Sequence, residues 1–367
     1  MENKIKICHV TSAHKDGDVR IFHKECVSLA QAGFDVYHLV PNSTTRIEKG
    51  VQIVSFPFEI SSRFKRMFFL VKEIYRRALE IDADVYHLHD PELLRIALKL
   101  KKQGKKVIYD AHEDVPRDIL TKSYIPSFLR KTVSRRFEKF ENKVAGQLDG
   151  IICATPFIRD RFKKINPKTI DINNFPLIGE IEFAEIPWES RLDQVCYIGV
   201  ITKIRGILEM VRAAEISGVK LKMAGTFDEN SKDLLKNEKG MNMMDELGMI
   251  NRVQSVELKK LCKAGLVIFH PVPNHIDAQP NKIFEYMASG LPVIGSNFPL
   301  WKEIIEQGGC GICVDPMKPE AISQAIKTII ENPEKSSKMG ANGIRLVKEK
   351  YNWDAENVKL VAFYKGL

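Results

Sequence analysis

The chain has 367 residues, 44% hydrophobic and 28% charged, which excludes a disordered or fibrous protein and suits two domains of roughly 150–200 residues. No run of about 18 apolar residues occurs, which excludes a membrane-spanning helix, and the first residues read as a strand rather than a signal peptide, so a cytoplasmic protein is expected. The net charge of +9 is uneven. Residues 1–175 hold 32 Lys and Arg against 22 Asp and Glu, and residues 176–367 hold 24 against 25, so the first half is expected to meet an anionic partner or a membrane surface.

In chain order, residues 6–10, 35–40, 52–56, 85–88, 106–109 and 150–154 read as strands. They alternate with helical patterns at 22–32, 64–80, 91–102 and 127–147. Such alternation predicts a parallel sheet covered on both faces. Turn chemistry over 173–192 reads as a linker. The pattern then restarts, with strands at 194–198, 220–224, 266–270, 292–295 and 312–314, and helices at 206–217, around Glu285, at 319–331 and at 353–367. The prediction is α/β: two doubly wound, Rossmann-like domains, residues 1–175 and 190–350, with ligands beyond the carboxyl ends of the strands.

Residues 277–294 are the most informative stretch. Asp277 precedes Glu285 by eight positions; between them lies a loop with Gln279, Asn281 and Lys282, and after them come a helix and a buried strand. The amides at that helix start can hold an anion, and a carboxylate one turn inside can accept two hydroxyl hydrogen bonds, as from a ribose. Gly199-Val-Ile-Thr-Lys203-Ile-Arg205-Gly206 also follows a strand and opens a helix; its glycine admits a close ligand, and Lys203 and Arg205 can neutralise a diphosphate.

In the first half, two apolar strands end in imidazoles and carboxylates, at His87, His89 and Asp90 and at Asp110, His112, Glu113 and Asp114. Hydrogen bonding to a polyhydroxylated substrate explains them better than a metal, because their spacing matches no standard ligand set. His87 and His89 alternate by two, so both can face one side of a strand, one of them as a core residue. The loop carrying His14, Gly17 and Arg20 follows the first strand without a Gly-x-Gly-x-x-Gly fingerprint, so it is expected to line a cleft rather than bind a dinucleotide. Seven scattered cysteines read as free thiols, and Cys310-Gly-Ile-Cys313 lacks the second ligand pair of a zinc site. Residues 63–77 and 127–143 interleave basic residues with aromatics and aliphatics, as in helices that bind an anionic membrane surface. No nucleic-acid reader module accompanies the charge, so nucleic acid is not an expected partner.

These residues resemble the retaining glycosyltransferases of family 4, which have the two-domain GT-B fold. The resemblance rests on the acid, seven residues, Glu signature followed by Tyr-Met-Ala-Ser-Gly-Leu-Pro-Val-Ile, and it extends over nearly the whole chain. It implies two domains facing across a cleft, with helix 353–367 crossing back to the first. It also implies that Glu285 binds the ribose of a nucleotide sugar, UDP-linked, and that Asp277 contacts the donor sugar where most members have Glu. Arg205 falls on the family's diphosphate Lys, whereas the partner Arg falls on Val200, a departure for which Lys203 compensates. Gly199, Gln279, Asn281 and Lys282 complete the donor side, and Pro280-Asn281-Lys282 is similar to the bacterial polysaccharide and lipopolysaccharide enzymes. His112 faces the transferred sugar, and His14, Gly17, Arg20, His89, Asp90 and Glu113 are assigned to the acceptor side.

The implied reaction retains anomeric configuration and needs no metal or other cofactor. His112, Asp277, Lys203 and Arg205 carry catalysis, the acceptor is a glycan or polyprenyl-linked glycan, and the protein sits peripherally on the inner face of the membrane. Domain closure would exclude water. The rival readings are a sugar-nucleotide epimerase of the same layout and a non-catalytic sugar-nucleotide binding protein.

Overall fold

The computed structural model describes residues 4–62, 65–122, 124–180, 186–228 and 231–367. Arg63 and Phe64 of the first basic segment and 181–185 of the expected linker lie outside the described residues. The chain divides into two compact units, Met1–Asn174 with Trp353–Leu367, and Phe175–Asn352.

The first unit is built on eight strands: β1 (Lys6–Val10), β2 (Asp35–Pro41), β3 (Arg46–Glu48), β4 (Val51–Phe56), β5 (Val85–Leu88), β6 (Lys106–Ala111), β7 (Gly150–Cys153) and β8 (Thr169–Asp171). Their order is β3-β4-β2-β1-β5-β6-β7-β8, and all pairs are parallel except β3 with β4. Every residue of β5 and β7 is buried, as expected of strands covered on both faces. The two edge strands β3 and β8 escape sequence reading because three residues are too few to show a period. The order turns between β1 and β5, so the loops after these two strands leave the sheet in opposite directions.

The C-terminal helix Trp353–Lys365 belongs to this unit. Trp353 Nε1 donates to Ser28 Oγ at 2.9 Å, Asn173 N donates to Glu356 Oε2 at 2.8 Å, and Phe363 lies so close to Gly150 that a Cβ there would meet its ring at 2.4 Å.

The second unit has six parallel strands: β9 (Gln194–Ile198), β10 (Lys220–Ala224), β11 (Met244–Gly248), β12 (Ala264–Val267), β13 (Val293–Ser296) and β14 (Gly311–Val314). Their order, β11-β10-β9-β12-β13-β14, is the 3-2-1-4-5-6 order of a doubly wound sheet counted from β9. β11 carries Asp245 and Glu246 at the sheet edge, so it lacks the apolar run that marks its neighbours. Both units thus bear out the expected α/β, Rossmann-like class. All seven cysteines are free, six of them buried, and no described helix is long and apolar enough to cross a membrane.

Candidate functional site

In the second unit the switch point lies between β9 and β12, where the carboxyl ends of a doubly wound sheet leave a crevice. The loop after β9 carries Gly199 to Arg205, and the segment after β12 carries His270 to Asp277 and leads to the helix Asn281–Ala288. That helix is anchored by its buried face. Phe284 packs edge-on to Phe175 and tilted against Tyr351, with ring centroids 4.7 and 5.1 Å away. Tyr286 lies over Gly265 of β12, where any Cβ would meet its ring at 2.4 Å, and its hydroxyl accepts Ile198 N at 3.0 Å. With Ile283, Phe284, Tyr286 and Met287 inward, Glu285 remains exposed one turn into the helix.

The start of the same helix meets the β9 loop. Lys282 Nζ lies over the Tyr197 ring at 4.0 Å and the Phe269 ring at 5.3 Å, and would be 2.8 Å from a Cβ added to Gly199. Burial first, and then the charge of Arg205, push the Lys282 pKa down to about 7, against the pull of Glu285. Arg205 sits over Phe269 at 5.5 Å and donates from Nη1 to Val200 O at 3.3 Å. Gly206 holds a left-handed φ of 73°, and a Cβ there would come within 2.0 Å of Ile268 O, so only glycine lets this loop turn into its helix. Four buried polar atoms on these segments, Thr202 Oγ1, Asn274 Oδ1, Gln279 Oε1 and Lys282 Nζ, have no hydrogen-bond partner. Buried polar groups are nearly always satisfied, so this concentration marks a place able to take a polar ligand.

In the first unit, strand register brings the histidines together. His38 on β2, His9 on β1 and His87 on β5 are paired across adjacent strands. His9 Nδ1 and His89 Nε2 share a hydrogen bond of 2.9 Å, and His87 Nδ1 meets Tyr364 Oη of the C-terminal helix at 2.7 Å. Asp110 at the end of β6 is the hub. Its Oδ2 accepts from Arg20 Nε at 3.1 Å and lies 2.9 Å from His112 Nε2 and 3.3 Å from His89 Nδ1, while Oδ1 accepts Arg20 Nη2 at 2.8 Å. Burial would raise the Asp110 pKa, but Arg20, His112 and the imidazole hydrogen bonds outweigh it and hold the carboxylate ionised.

His112 Nε2 and His89 Nδ1, themselves 3.1 Å apart, both turn toward Asp110 Oδ2. Glu25, buried beside Arg20 and Asp110, is pushed the other way by burial and by the Asp110 charge. His9, Glu25, His87 and His89 bring one ligand-type atom each within 4.8 Å of one another, as do His89, Asp110 and His112. The Arg20 guanidinium lies 3.1 Å from Glu25 Oε1 and 2.8 Å from Asp110 Oδ1, and His9 Nε2, His87 Nε2 and both Glu25 carboxyl oxygens are buried without a hydrogen-bond partner.

Two family models match the chain: Glycosyltransferase Family 4 over residues 17–172 and Glycosyl transferases group 1 over residues 180–346. Together they take in the whole second sheet and every strand of the first but β1. The chain belongs to the family 4 glycosyltransferases of GT-B fold. This glycosyltransferase is 22% identical over 345 residues to an uncharacterized glycosyltransferase of Methanocaldococcus jannaschii, covering 87% of each chain. Its structure is similar to that of sucrose-phosphate synthase from Thermosynechococcus elongatus, with a TM-score of 0.77, 14% identity and 99% of each chain covered. It is also similar to Anabaena Alr3699/HepE in complex with UDP, with a TM-score of 0.73, 15% identity and 100% of each chain covered.

In the glycosyltransferase the residues expected on the donor side fall on three neighbouring segments of the second unit. Gly199, Lys203 and Arg205 lie on the loop after β9, Asp277 and Gln279 on the segment after β12, and Asn281, Lys282 and Glu285 on the helix; Lys203 is exposed and Asp277 half-buried.

On the first unit, His112 and His14 are half-buried with ring centroids 5.2 Å apart, and Gly17 and Glu113 are exposed. His14 Nδ1 meets Asp18 Oδ2 at 3.1 Å, a hydrogen bond that raises its pKa against partial burial.

Four expectations need correcting. Arg20, His89 and Asp90 do not face an acceptor, because all three are buried and engaged internally. Arg20 holds Asp110 and donates to Ile172 O, His89 joins His9 to Asp110, and Asp90 accepts from Thr11 Oγ1 and Ser12 N at 2.7 Å each. They shape the site from beneath. Of His87 and His89, both are core residues rather than one. Sequence reading missed Glu25 and Tyr364 as members of this network. Glu25 sits inside a helical pattern where a carboxylate ordinarily faces water, and Tyr364 arrives from the far end of the chain, so neither carries a local signal.

Proposed function

We propose that this glycosyltransferase moves a hexose or related sugar from a UDP-linked donor to a glycan or lipid-linked glycan in cell-surface polysaccharide synthesis, with retention of configuration and without a metal. The observation that carries the reading is the helix Asn281–Ala288 at the second unit's switch point, with Glu285 exposed one turn in, where it accepts the two ribose hydroxyls. The UDP bound to the similar Anabaena protein supports the choice of base.

Departure of the diphosphate is eased by Lys203, Arg205 and the amides at the helix start, charges aimed at where negative charge develops. The acceptor hydroxyl attacks on the face the diphosphate leaves, and the leaving oxygen takes its proton, so no protein nucleophile is used. Asp277 is assigned to the donor sugar, and His112 to a hydroxyl of the transferred sugar. The helix Ser127–Ala145 supports peripheral binding to an anionic membrane. It buries only Ser134, Glu141, Val144 and Ala145, and exposes Phe128, Leu129, Val133 and Phe140 among its basic residues.

A donor screen tests the reading, scoring release of nucleoside diphosphate from each sugar nucleotide with and without glycan acceptors. Acceptor-dependent release from a UDP-sugar is expected. Release or isomerisation indifferent to any acceptor would favour an epimerase instead.

A further inference from the structure

We propose that the Lys282 ammonium, seated between Gly199 and Arg205, is the second cation that binds the donor diphosphate, taking the place of the Arg that the family has at position 200. The inference rests on the donor reading above and gives that subsite a residue. Lys282 Nζ is buried, and no hydrogen-bond acceptor contacts it. Withdrawing an ammonium from water is costly unless an anion meets it, and the ring faces of Tyr197 and Phe269 recover only a small part of that cost. A lysine at this depth is a poor structural choice and a good anion receptor.

The surroundings agree. Gly199, with φ of 141°, has no side chain, and a Cβ there would collide with Nζ, so a chain reaching from position 199 would displace the ammonium. Val200, where the family's Arg is absent, is half-exposed and offers only its carbonyl, which accepts from Tyr197 Oη at 2.7 Å and from Arg205. Lys282 is the second residue of the eight-residue helix Asn281–Ala288, whose first-turn amides add to the positive field at the same end. Arg205 is near enough to depress Lys282, so the two cations share one small region. Lys203, to which sequence reading gave the compensating role, is exposed on the loop.

The test is calorimetric titration of the full chain with UDP, uridine and inorganic pyrophosphate, using wild type, Lys282→Met and Lys282→Arg. Methionine keeps the stem between the two rings, and Lys282→Arg retains the charge if the apolar replacement fails to fold. The expected result is a tenfold or greater loss of UDP and pyrophosphate affinity in Lys282→Met, with uridine unchanged within about twofold, and partial retention in Lys282→Arg. Pyrophosphate binding that depends on Lys282 in a chain that ignores UDP would uphold this inference and overturn the choice of base. Equal binding of UDP and pyrophosphate by wild type and Lys282→Met would overturn the inference and leave the donor reading standing. A wild-type chain that binds neither pyrophosphate nor any nucleoside diphosphate would overturn both.

Discussion

The guanidinium of Arg20 grips both carboxylate oxygens of Asp110, Nε to Oδ2 at 3.1 Å and Nη2 to Oδ1 at 2.8 Å, with both side chains buried beneath His112. Removing one member of such a pair leaves an uncompensated buried charge. Arg20→Leu is therefore expected to cost about 3–5 kcal/mol, read as an earlier urea transition of the first unit. Asp110→Asn keeps the shape but offers an amide that donates to an imidazole, which disturbs the His112 tautomer. It should lower kcat tenfold or more and move the His112 ¹⁵N resonances; unchanged resonances would mean that Asp110 does not position that ring.

His38 supplies a pH prediction. Both ring nitrogens are buried without partners, and burial pushes its pKa down to about 4. The unfolded chain, with a His pKa near about 6.5, binds more protons than the folded one through this window, so stability falls as pH drops from about 6.5 to 4. The contribution lost is about 3 kcal/mol at pH 4, from the cited depression at about 1.4 kcal/mol per unit. His38→Leu should flatten that part of the stability–pH curve, measured as Tm at pH 5 against pH 7. A parallel pair of curves would show that His38 is not the titrating group.

Glu285→Ala is expected to weaken donor binding and nearly abolish transfer, because two hydroxyl hydrogen bonds to one carboxylate are lost. Arg205→Ala should slow transfer tenfold or more, in line with one charge-assisted contact of about 1.4 kcal/mol or more. Steady-state rates with the donor found in the screen provide the measurement, and full activity in either variant would move the donor site elsewhere.

Lys282 makes UDP binding pH-dependent. Its pKa of about 7 in the free protein is set by burial and Arg205, with Glu285 opposing, and a diphosphate beside it would raise that value. The affinity for UDP should then fall as pH rises from 7 to 9, with proton uptake on binding detectable from the buffer dependence of the calorimetric heat. Tyr197, pushed up to about 12 by burial, stays neutral over this range. An affinity flat from pH 7 to 9 would contradict the prediction.

Sedimentation with anionic vesicles tests the helix Ser127–Ala145. Binding at low salt that weakens at high salt is expected from its exposed aromatic and basic residues. Absence of binding at low salt would reduce the helix to an ordinary surface element.

The strands at 6–10, 85–88 and 194–198, the two doubly wound sheets and the acid–Glu signature of 277–285 were legible because each is a local pattern: an apolar run, a period, a spacing. The family followed from them. What stayed hidden depends on partners remote in the chain. His9 reaches His89, and His89 reaches Asp110, only because β1, β5 and β6 lie side by side, and Tyr364 reaches His87 only because the last helix packs on the first unit. Arg20 and Asp90 read as ligand groups because polar residues at strand ends usually are; parallel pairing instead supplied them with internal partners and buried them. Lys282 was legible as a donor residue, but its orphaned ammonium against Gly199 exists only in three dimensions. Sequence by itself determined the longer elements, the fold class and the family, since these follow from periodicity and spacing. The tertiary structure decided which charges are satisfied and which still await a ligand, since satisfaction depends on distances between residues far apart in sequence.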